Sequence, residues 1–444
     1  MKPSGNTNSS QSDSSRAPID ILIDPMQRFL HVESASGIVL LLATATALIL
    51  ANSPWSAEFL AFWKTKIGFA IGYFEMNYSL QHWINDLLMA VFFFVIGLEV
   101  KREIVSGELR SLKRAALPIF AALGGMFVPA MIYLFLQAGS PAVRGWGIPM
   151  ATDIAFVVGT LAILGSRIPG SLRILLLSLA IADDIGAILV IAIGYTENLQ
   201  LNFLLLSLGG LLGFMGFYKI GVRAIPIYFL LAAIVWFGFH ESGVHATISG
   251  VIIGLLTPTK GWYNENRLRL KVQDLLRFLQ GEQWPGSKER YQMLREMERS
   301  ARKTVSPLER FENDLHPWVG FVIMPLFALA NAGVVINSSV IFNPVVSSVA
   351  LGLFLGKPIG ITLFSWLAVK VGLASLPSDL KWPAVLGGGS LAGIGFTMAL
   401  FIASLALQGT LLDAAKVGIL IGSFLSALLG SAMLIIFLKK PQKI

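Results

Sequence analysis

Asp183 and Asp184 stand side by side near the middle of an apolar run from about Ile174 to Ile193. Roughly 20 helical residues cross the ~30 Å hydrocarbon core of a bilayer, so the run is a spanning helix and the pair sits deep within it. One charge at that depth costs about 2.5–3.5 kcal/mol on insertion scales, which makes two hard to explain as packing. The ordinary alternative is a helix–helix salt bridge to one carboxylate while the other stays protonated. The reading that uses both groups is an ion or proton site. Neighbouring carboxylates titrate as a coupled pair, and a hard cation takes carboxylate, hydroxyl and carbonyl oxygens. Successive helical residues diverge by about 100°, so one carboxylate is expected to bind the cation while the other balances charge. Protons and cations competing for the same oxygens then exchange without a separate coupling device.

Four further features are out of place in apolar spans. Thr152-Asp153 follows Ile148-Pro149-Met150-Ala151; Lys357-Pro358 interrupts Phe354 to Gly360; Gly387-Gly388-Gly389-Ser390 leads to Gly393-Ile394-Gly395-Phe396-Thr397; and Gly124-Gly125 precedes Pro129. Gly- and Pro-interrupted spans in corresponding positions of two halves point to broken helices and an inverted repeat. Here spans 3–5 would match spans 10–12, with spans 4 and 11 broken. Broken helices leave partly positive N-terminal and partly negative C-terminal ends at the midplane. Asp153 has the sign to neutralise two N-terminal ends, a role favoured over direct ligation of the ion. For Lys357 the sequence leaves two roles open, compensation of C-terminal ends and pairing with Asp183.

Composition sets the class. Of 444 residues, 55% are hydrophobic and only 14% charged, well below the roughly 25% of soluble domains, so the chain is an all-α polytopic membrane protein. It has no cysteine, which excludes disulfides and thiolate metal sites. The net charge of +8 does not argue for nucleic acid, because the aromatics lie in the apolar segments and not on a basic face.

About twelve spans are expected, at 36–52, 84–100, 115–137, 148–165, 171–194, 201–218, 224–239, 242–257, 317–337, 345–369, 384–407 and 414–438. With alternating sides, Lys64, Lys66, Arg144 and Lys416 are the cationic residues of one face. Lys357 lies within a span, and the rest of the 34 Lys and Arg fall on the other face. The positive-inside rule makes that second face cytoplasmic, with both termini on it. Residues 1–20, rich in Ser, Asn and Asp, read as a disordered cytoplasmic tail ahead of a transporter domain over 25–438. Between the first two spans, residues 63–73 alternate with period two, as in a strand or hairpin outside the membrane. Its edge could pair with a second copy of the chain, or the stretch could be an interfacial loop. The cytoplasmic loop 258–316 carries an amphipathic helix over 267–279 and a charged helix over 288–303, read as a solvated linker.

At this point the chain resembles a known family. Ala151-Thr152-Asp153-Ile154-Ala155-Phe156, Ala182-Asp183-Asp184-Ile185-Gly186-Ala187 and Gly356-Lys357-Pro358 are similar to motifs of the NhaA family of bacterial sodium/proton antiporters. Trp83-Ile84-Asn85-Asp86, Gly97-Leu98-Glu99-Val100-Lys101-Arg102-Glu103, Ser242-Gly243-Val244-His245-Ala246-Thr247 and Leu315-His316-Pro317-Trp318 support it in order. The resemblance implies exchange of cytoplasmic Na⁺ or Li⁺ for external H⁺, in a bacterial inner membrane, for sodium extrusion and pH homeostasis. Asp184 would be the main cation ligand, and Asp183 the second proton carrier or the partner of Lys357. Thr152 and Asp153 would belong to the crossing of the broken helices. Glu99, Arg102, Glu103 and Glu312 match cytoplasmic positions at which the family senses pH, and His245 and His316 are further candidates for that response. His31, His82, His240 and His316 read as surface or interfacial. Asn313 stands where a histidine is expected, and the 260–314 loop is longer than the family pattern. The expected partners are Na⁺, Li⁺, H⁺, membrane lipid and a second copy of the chain, with no cofactor.

Enzyme readings fit poorly. An intramembrane aspartyl protease needs its two carboxylates on separate helices, and a membrane prenyltransferase needs Asp-Asp-x-x-Asp, whereas Asp183-Asp184 leads into Ile185-Gly186-Ala187. The runner-up is a proton-coupled solute symporter of the same fold.

Overall fold

The computed structural model describes residues 33–438, except 72–73, 197–198, 223–224 and all of 262–286 but 269, 272, 273 and 276. The tail expected over 1–20, His31 and most of the helix expected over 267–279 lie outside the described residues. The rest is almost wholly helical. In chain order it comprises α1 (Glu33–Ala51), α2 (Ser56–Lys64), strands β1 (Lys66–Ile71) and β2 (Phe74–Ser79), α3 (Leu80–Ser106) and α4 (Leu112–Leu136). Next come α5a (Pro141–Met150, a 3₁₀ segment), α5b (Ile154–Leu164), α6 (Gly170–Gly194), α7 (Leu201–Ile220), α8 (Ile225–Glu241) and α9 (Thr247–Leu256). The C-terminal half holds α10 (Ser287–Thr304), α11 (307–331), α12 (Pro344–Lys370), α13a (Trp382–Ala392), α13b (Phe396–Ala406) and α14 (Gly409–Phe437).

Each of the twelve expected spans overlaps a helix, although 242–246 and 332–337 of the eighth and ninth are not helical. Among the described residues seven helices are long and apolar enough to cross a bilayer as single segments, or nine if each of two bent pairs counts as one span. The shorter α8 and α9 are apolar as well. Leu42, Phe135, Ile163, Ile193, Leu205 and Ile220 are among the many large apolar side chains left exposed, the outer surface expected of a bundle solvated by lipid.

Three expectations are corrected. Trp63 and Lys64 end helix α2, so the strand starts at Lys66, and its antiparallel partner is Phe74–Ser79, in register Lys66 to Ser79 and Ile71 to Phe74. The strand needs that partner because a lone period-two segment leaves its backbone groups unpaired. Residues 240–241 do not separate spans 7 and 8; α8 runs through Glu241, and the break falls at 242–246, where Gly243 takes a positive φ of 82°. Lys416, counted among the cations of the outer face, is buried inside α14, 7% exposed, and its ammonium donates to the Gly333 carbonyl at 3.4 Å.

The packing that positions the site is between α4 and α12. Gly124 and Gly360 face each other across this contact, and a Cβ on Gly125 would stand 2.9 Å from Ile361 Cγ1. A Cβ on Gly356 would stand 2.8 Å from Pro129 Cα. Small residues on both helices let the backbones approach closely, which is how spans pack where lipid and side chains are equally apolar. The approach carries Lys357, directly after a π-turn at Gly352–Gly356, into the middle of the bundle.

Candidate ion-binding site

Two interrupted spans meet at the centre of the protein. In the first, Ala151-Thr152-Asp153 is extended between α5a and α5b; in the second, α13a and α13b meet at 49° across Gly393-Ile394-Gly395. A Cβ on Gly395 would stand 2.9 Å from the Ala151 carbonyl, so the crossing requires glycine there. The freed backbone groups are satisfied across the crossing, as they must be away from water. The Asp153 N–H donates to the Ile394 carbonyl at 2.7 Å, and the Thr152 hydroxyl donates to the Ala392 carbonyl at 2.8 Å. The Phe396 N–H donates to Ser423 Oγ at 3.1 Å.

Asp153 serves both N-terminal ends. One carboxylate oxygen accepts from the Phe156 N–H at 3.4 Å, capping α5b. The other accepts from the Thr397 N–H at 3.0 Å and from the Thr397 hydroxyl, capping α13b. Both helices point their positive ends at one carboxyl group. Thr397 completes this cap. The sequence signal for it was only its place two residues after Gly395, at the start of a half-helix.

Asp183 and Asp184 lie on α6, 2% and 3% exposed. Lys357, wholly buried, donates to Asp183 Oδ2 at 2.6 Å and to Thr152 Oγ1 at 2.9 Å. Thr152 therefore ties the ammonium to the broken-helix crossing, and of the two roles left open for Lys357 the geometry displays the pairing with Asp183. The two carboxylates are unequal. Asp183 keeps a buried Oδ1 without a hydrogen-bond partner. Asp184 accepts no hydrogen bond among the described residues, while Asp183, Glu99, Asp153 and Lys357 are the charges that act on it. The oxygens available to a cation are thus those of Asp184 and Asp183 Oδ1.

Glu99, Arg102 and Glu103 share α3. Arg102 forms an ion pair with Glu312 on α11. Glu103 accepts from the Glu108 N–H at 2.8 Å and from Ser178 Oγ at 3.5 Å, a contact with the same helix that bears the aspartates. Glu312 lies on the amphipathic start of α11, ahead of its apolar part, and is 7% exposed. Burial pushes its carboxyl above the ordinary glutamate range, against the opposing pull of Arg102. His316, one turn further on, is exposed. His245 has a buried Nδ1 without a hydrogen-bond partner and turns its ring edge to Phe401 at 6.1 Å. Neither histidine bonds to the aspartate pair among the described residues. A second pair escaped the sequence reading: Asn85 and Asn331 exchange amide hydrogen bonds at 2.7 and 3.2 Å, joining α3 to α11.

Residues 27–434 match the family model described as Na+/H+ antiporter 1. A Rhodopirellula baltica protein named Na(+)/H(+) antiporter NhaA is 54% identical over 426 residues, 96% of this chain and 97% of that one. Antiporters of the same name from Rhizobium meliloti (50% identity, 98% and 100% coverage) and, as NhaA 1, from Acidiphilium cryptum (50%, 96% and 94%) are similar throughout. Among solved structures, the sodium proton antiporter MjNhaP1 of Methanocaldococcus jannaschii matches at a TM-score of 0.46 and 14% identity, over 95% of this chain and 99% of that one.

Proposed function

Since the chain belongs to the Na⁺/H⁺ antiporter 1 family, we propose that it exchanges cytoplasmic Na⁺ or Li⁺ for external H⁺ at Asp183 and Asp184, moving charge in each cycle. The observation that carries this reading is the inequality of the two carboxylates: Asp183 is held by Lys357 while Asp184 has no hydrogen-bond partner among the described residues. Asp184 binds the cation and gives up a proton to do so. The second proton comes from the Asp183–Lys357 pair, whose charges must redistribute when a cation adds to the same pocket. Asp183 Oδ1 completes the oxygen set, and Thr152 and Asp153 hold the crossing in place around it. Two protons for one Na⁺ transfer one net charge inward, so the membrane potential contributes about 2.3 kcal/mol per 100 mV to sodium extrusion.

The protein works as a transporter, without a cofactor and without enzyme chemistry, in the bacterial inner membrane with both termini cytoplasmic, the side given by its Lys and Arg distribution. Glu99, Arg102, Glu103, His245, Glu312 and His316 set the pH range of activity. A homodimer joined through β1 and β2 is the working assembly. The symport alternative has no observation in its favour, since the relatives above are named as antiporters.

The test is cation-driven collapse of a pH gradient in proteoliposomes holding the purified protein, with Na⁺, Li⁺ and K⁺ added in turn. Collapse with Na⁺ or Li⁺ that disappears in Asp184→Asn is the expected result. Folded wild-type protein inert to both ions from about pH 6.5 to about pH 9 would sink the antiport reading.

A further inference from the structure

Away from the aspartate pair, a second cluster has the composition of a metal site. His82 and Asp86 lie one turn apart at the start of α3, and His240 comes from the end of α8. His82 Nε2 is 3.5 Å and His240 Nδ1 is 3.1 Å from the same oxygen, Asp86 Oδ2. All three ligand atoms lie within 4.8 Å of one another. Tetrahedral Zn²⁺ with bonds of about 2.0–2.1 Å separates its ligands by about 3.3–3.4 Å, so two of the three edges already have the right length. Zn²⁺ sites of three N/O ligands keep a fourth position for water. His82, with 39% of its side chain exposed, places the cluster near the surface.

The surroundings support ligation. His82 Nε2 is shielded from solvent and makes no hydrogen bond, and it stands at ion-pair distance, 3.5 Å, from the carboxylate. Both rings are held by aromatic neighbours: Tyr78 stacks on His82 at 4.5 Å, and Trp236 stacks on His240 at 5.4 Å. Asp86 sits in the π-turn Ile84–Leu88, a local widening of the helix that recurs at functional sites. The far nitrogen of His240 lies 3.9 Å from Glu241 Oε1, within ion-pair range and beyond hydrogen-bond distance.

We propose that His82, Asp86 and His240 bind a divalent transition-metal ion, of which Zn²⁺ is the type, on the face that the charge distribution makes external. The ion ties the outer end of α3 to that of α8. Its ligand set of two imidazoles and one carboxylate is unlike the all-oxygen aspartate pocket, so the two sites select different cations.

The experiment is equilibrium binding of Zn²⁺ to the full-length protein, purified without a histidine tag and stripped of metal. Wild type is expected to hold one Zn²⁺ per chain. His82→Gln and His240→Gln each abolish that binding, and His316→Gln leaves it unchanged. Added Zn²⁺ raises the unfolding temperature of wild type and not of the two ligand variants. Sodium-driven proton release by His82→Gln in the presence of a chelator shows that this variant is folded. Wild type binding no stoichiometric Zn²⁺, or binding that survives both His82→Gln and His240→Gln, overturns the proposal and leaves the cluster a hydrogen-bonded structural contact.

Discussion

Lys357 Nζ stands 2.6 Å from Asp183 Oδ2, with the two side chains 0% and 1% exposed. Breaking a buried ion pair from one side leaves an uncompensated charge and costs about 3–5 kcal/mol, whereas removing both partners is often close to neutral. Lys357→Met and Asp183→Asn should therefore each lower unfolding stability by that amount. The double variant should recover most of the loss. Chemical unfolding in detergent of all four proteins closes the cycle. Additive losses in the double variant would mean that the two groups are not coupled.

The same double variant separates the two protons. In the proposed exchange Asp184 remains able to trade one proton for one Na⁺, but the pair that supplies the second proton is gone. Exchange should persist at a reduced rate and move no net charge. A voltage-sensitive dye in proteoliposomes reads this directly: wild type builds a potential on addition of Na⁺ and the double variant does not. A potential of wild-type size per Na⁺ moved would place the second proton elsewhere.

Asp153 caps two helices with one carboxylate. Removing a cap costs about 0.5–2 kcal/mol, so Asp153→Ala should destabilise by about 1–4 kcal/mol and weaken apparent Na⁺ affinity by loosening the crossing. Asp153→Asn keeps one acceptor oxygen and should cost about half as much. Unfolding midpoints and the Na⁺ concentration for half-maximal exchange measure both effects. An Asn variant as damaged as the Ala variant would show that charge, not capping, is what the crossing needs.

The broken spans were legible because Gly and Pro mark them locally, and Asp183-Asp184, Asp153 and Lys357 because charge in an apolar run stands out from any direction. Partner choice was not legible. Whether Lys357 reaches Asp183 depends on how closely α4 and α12 approach, which Gly124 and Gly360 set across more than 200 positions of sequence. Thr397 and the Asn85–Asn331 pair went unread for the same reason, since a hydroxyl or amide in a span signals nothing until its acceptor is known. The hairpin was half-read: alternation reveals β1, but β2 shows only in the register of its pairing with β1.

Glu312 offers a pH test outside the membrane-spanning segments. Burial raises its carboxyl above the ordinary glutamate range although Arg102 opposes the shift. The folded protein therefore holds this proton more tightly than the unfolded chain. Its contribution to stability is complete below the unfolded value and is lost as pH rises through the higher folded value. Glu312→Gln cannot ionise, so its stability relative to wild type should increase across that window and level off above it. Unfolding of both proteins at intervals from about pH 4 to about pH 8 gives the curve. A relative stability of the variant that falls with rising pH would show that the Arg102 pair outweighs burial.

The antiparallel pair β1–β2 is a sheet of two strands, and among the described residues no third strand covers either edge. A two-stranded hairpin is marginal in water by itself. This one is anchored to the bundle by Trp83, whose indole N–H donates to the Ile67 carbonyl at 2.8 Å. A second copy pairing edge to edge would extend it to four strands and satisfy the unpaired N–H and C=O groups of the joined edges. Replacing residues 66–79 by a short Gly/Ser linker should convert a dimer to a monomer, because no strand edge then remains to join the two chains. The aspartates, Lys357 and the crossing lie within a single chain and do not touch it, so exchange per chain should persist. Mass determination by light scattering in detergent, run beside the proteoliposome assay, reads both quantities. A dimer that survives the deletion would place the interface on the helices, while a monomer that no longer exchanges would make dimerisation part of the transport cycle.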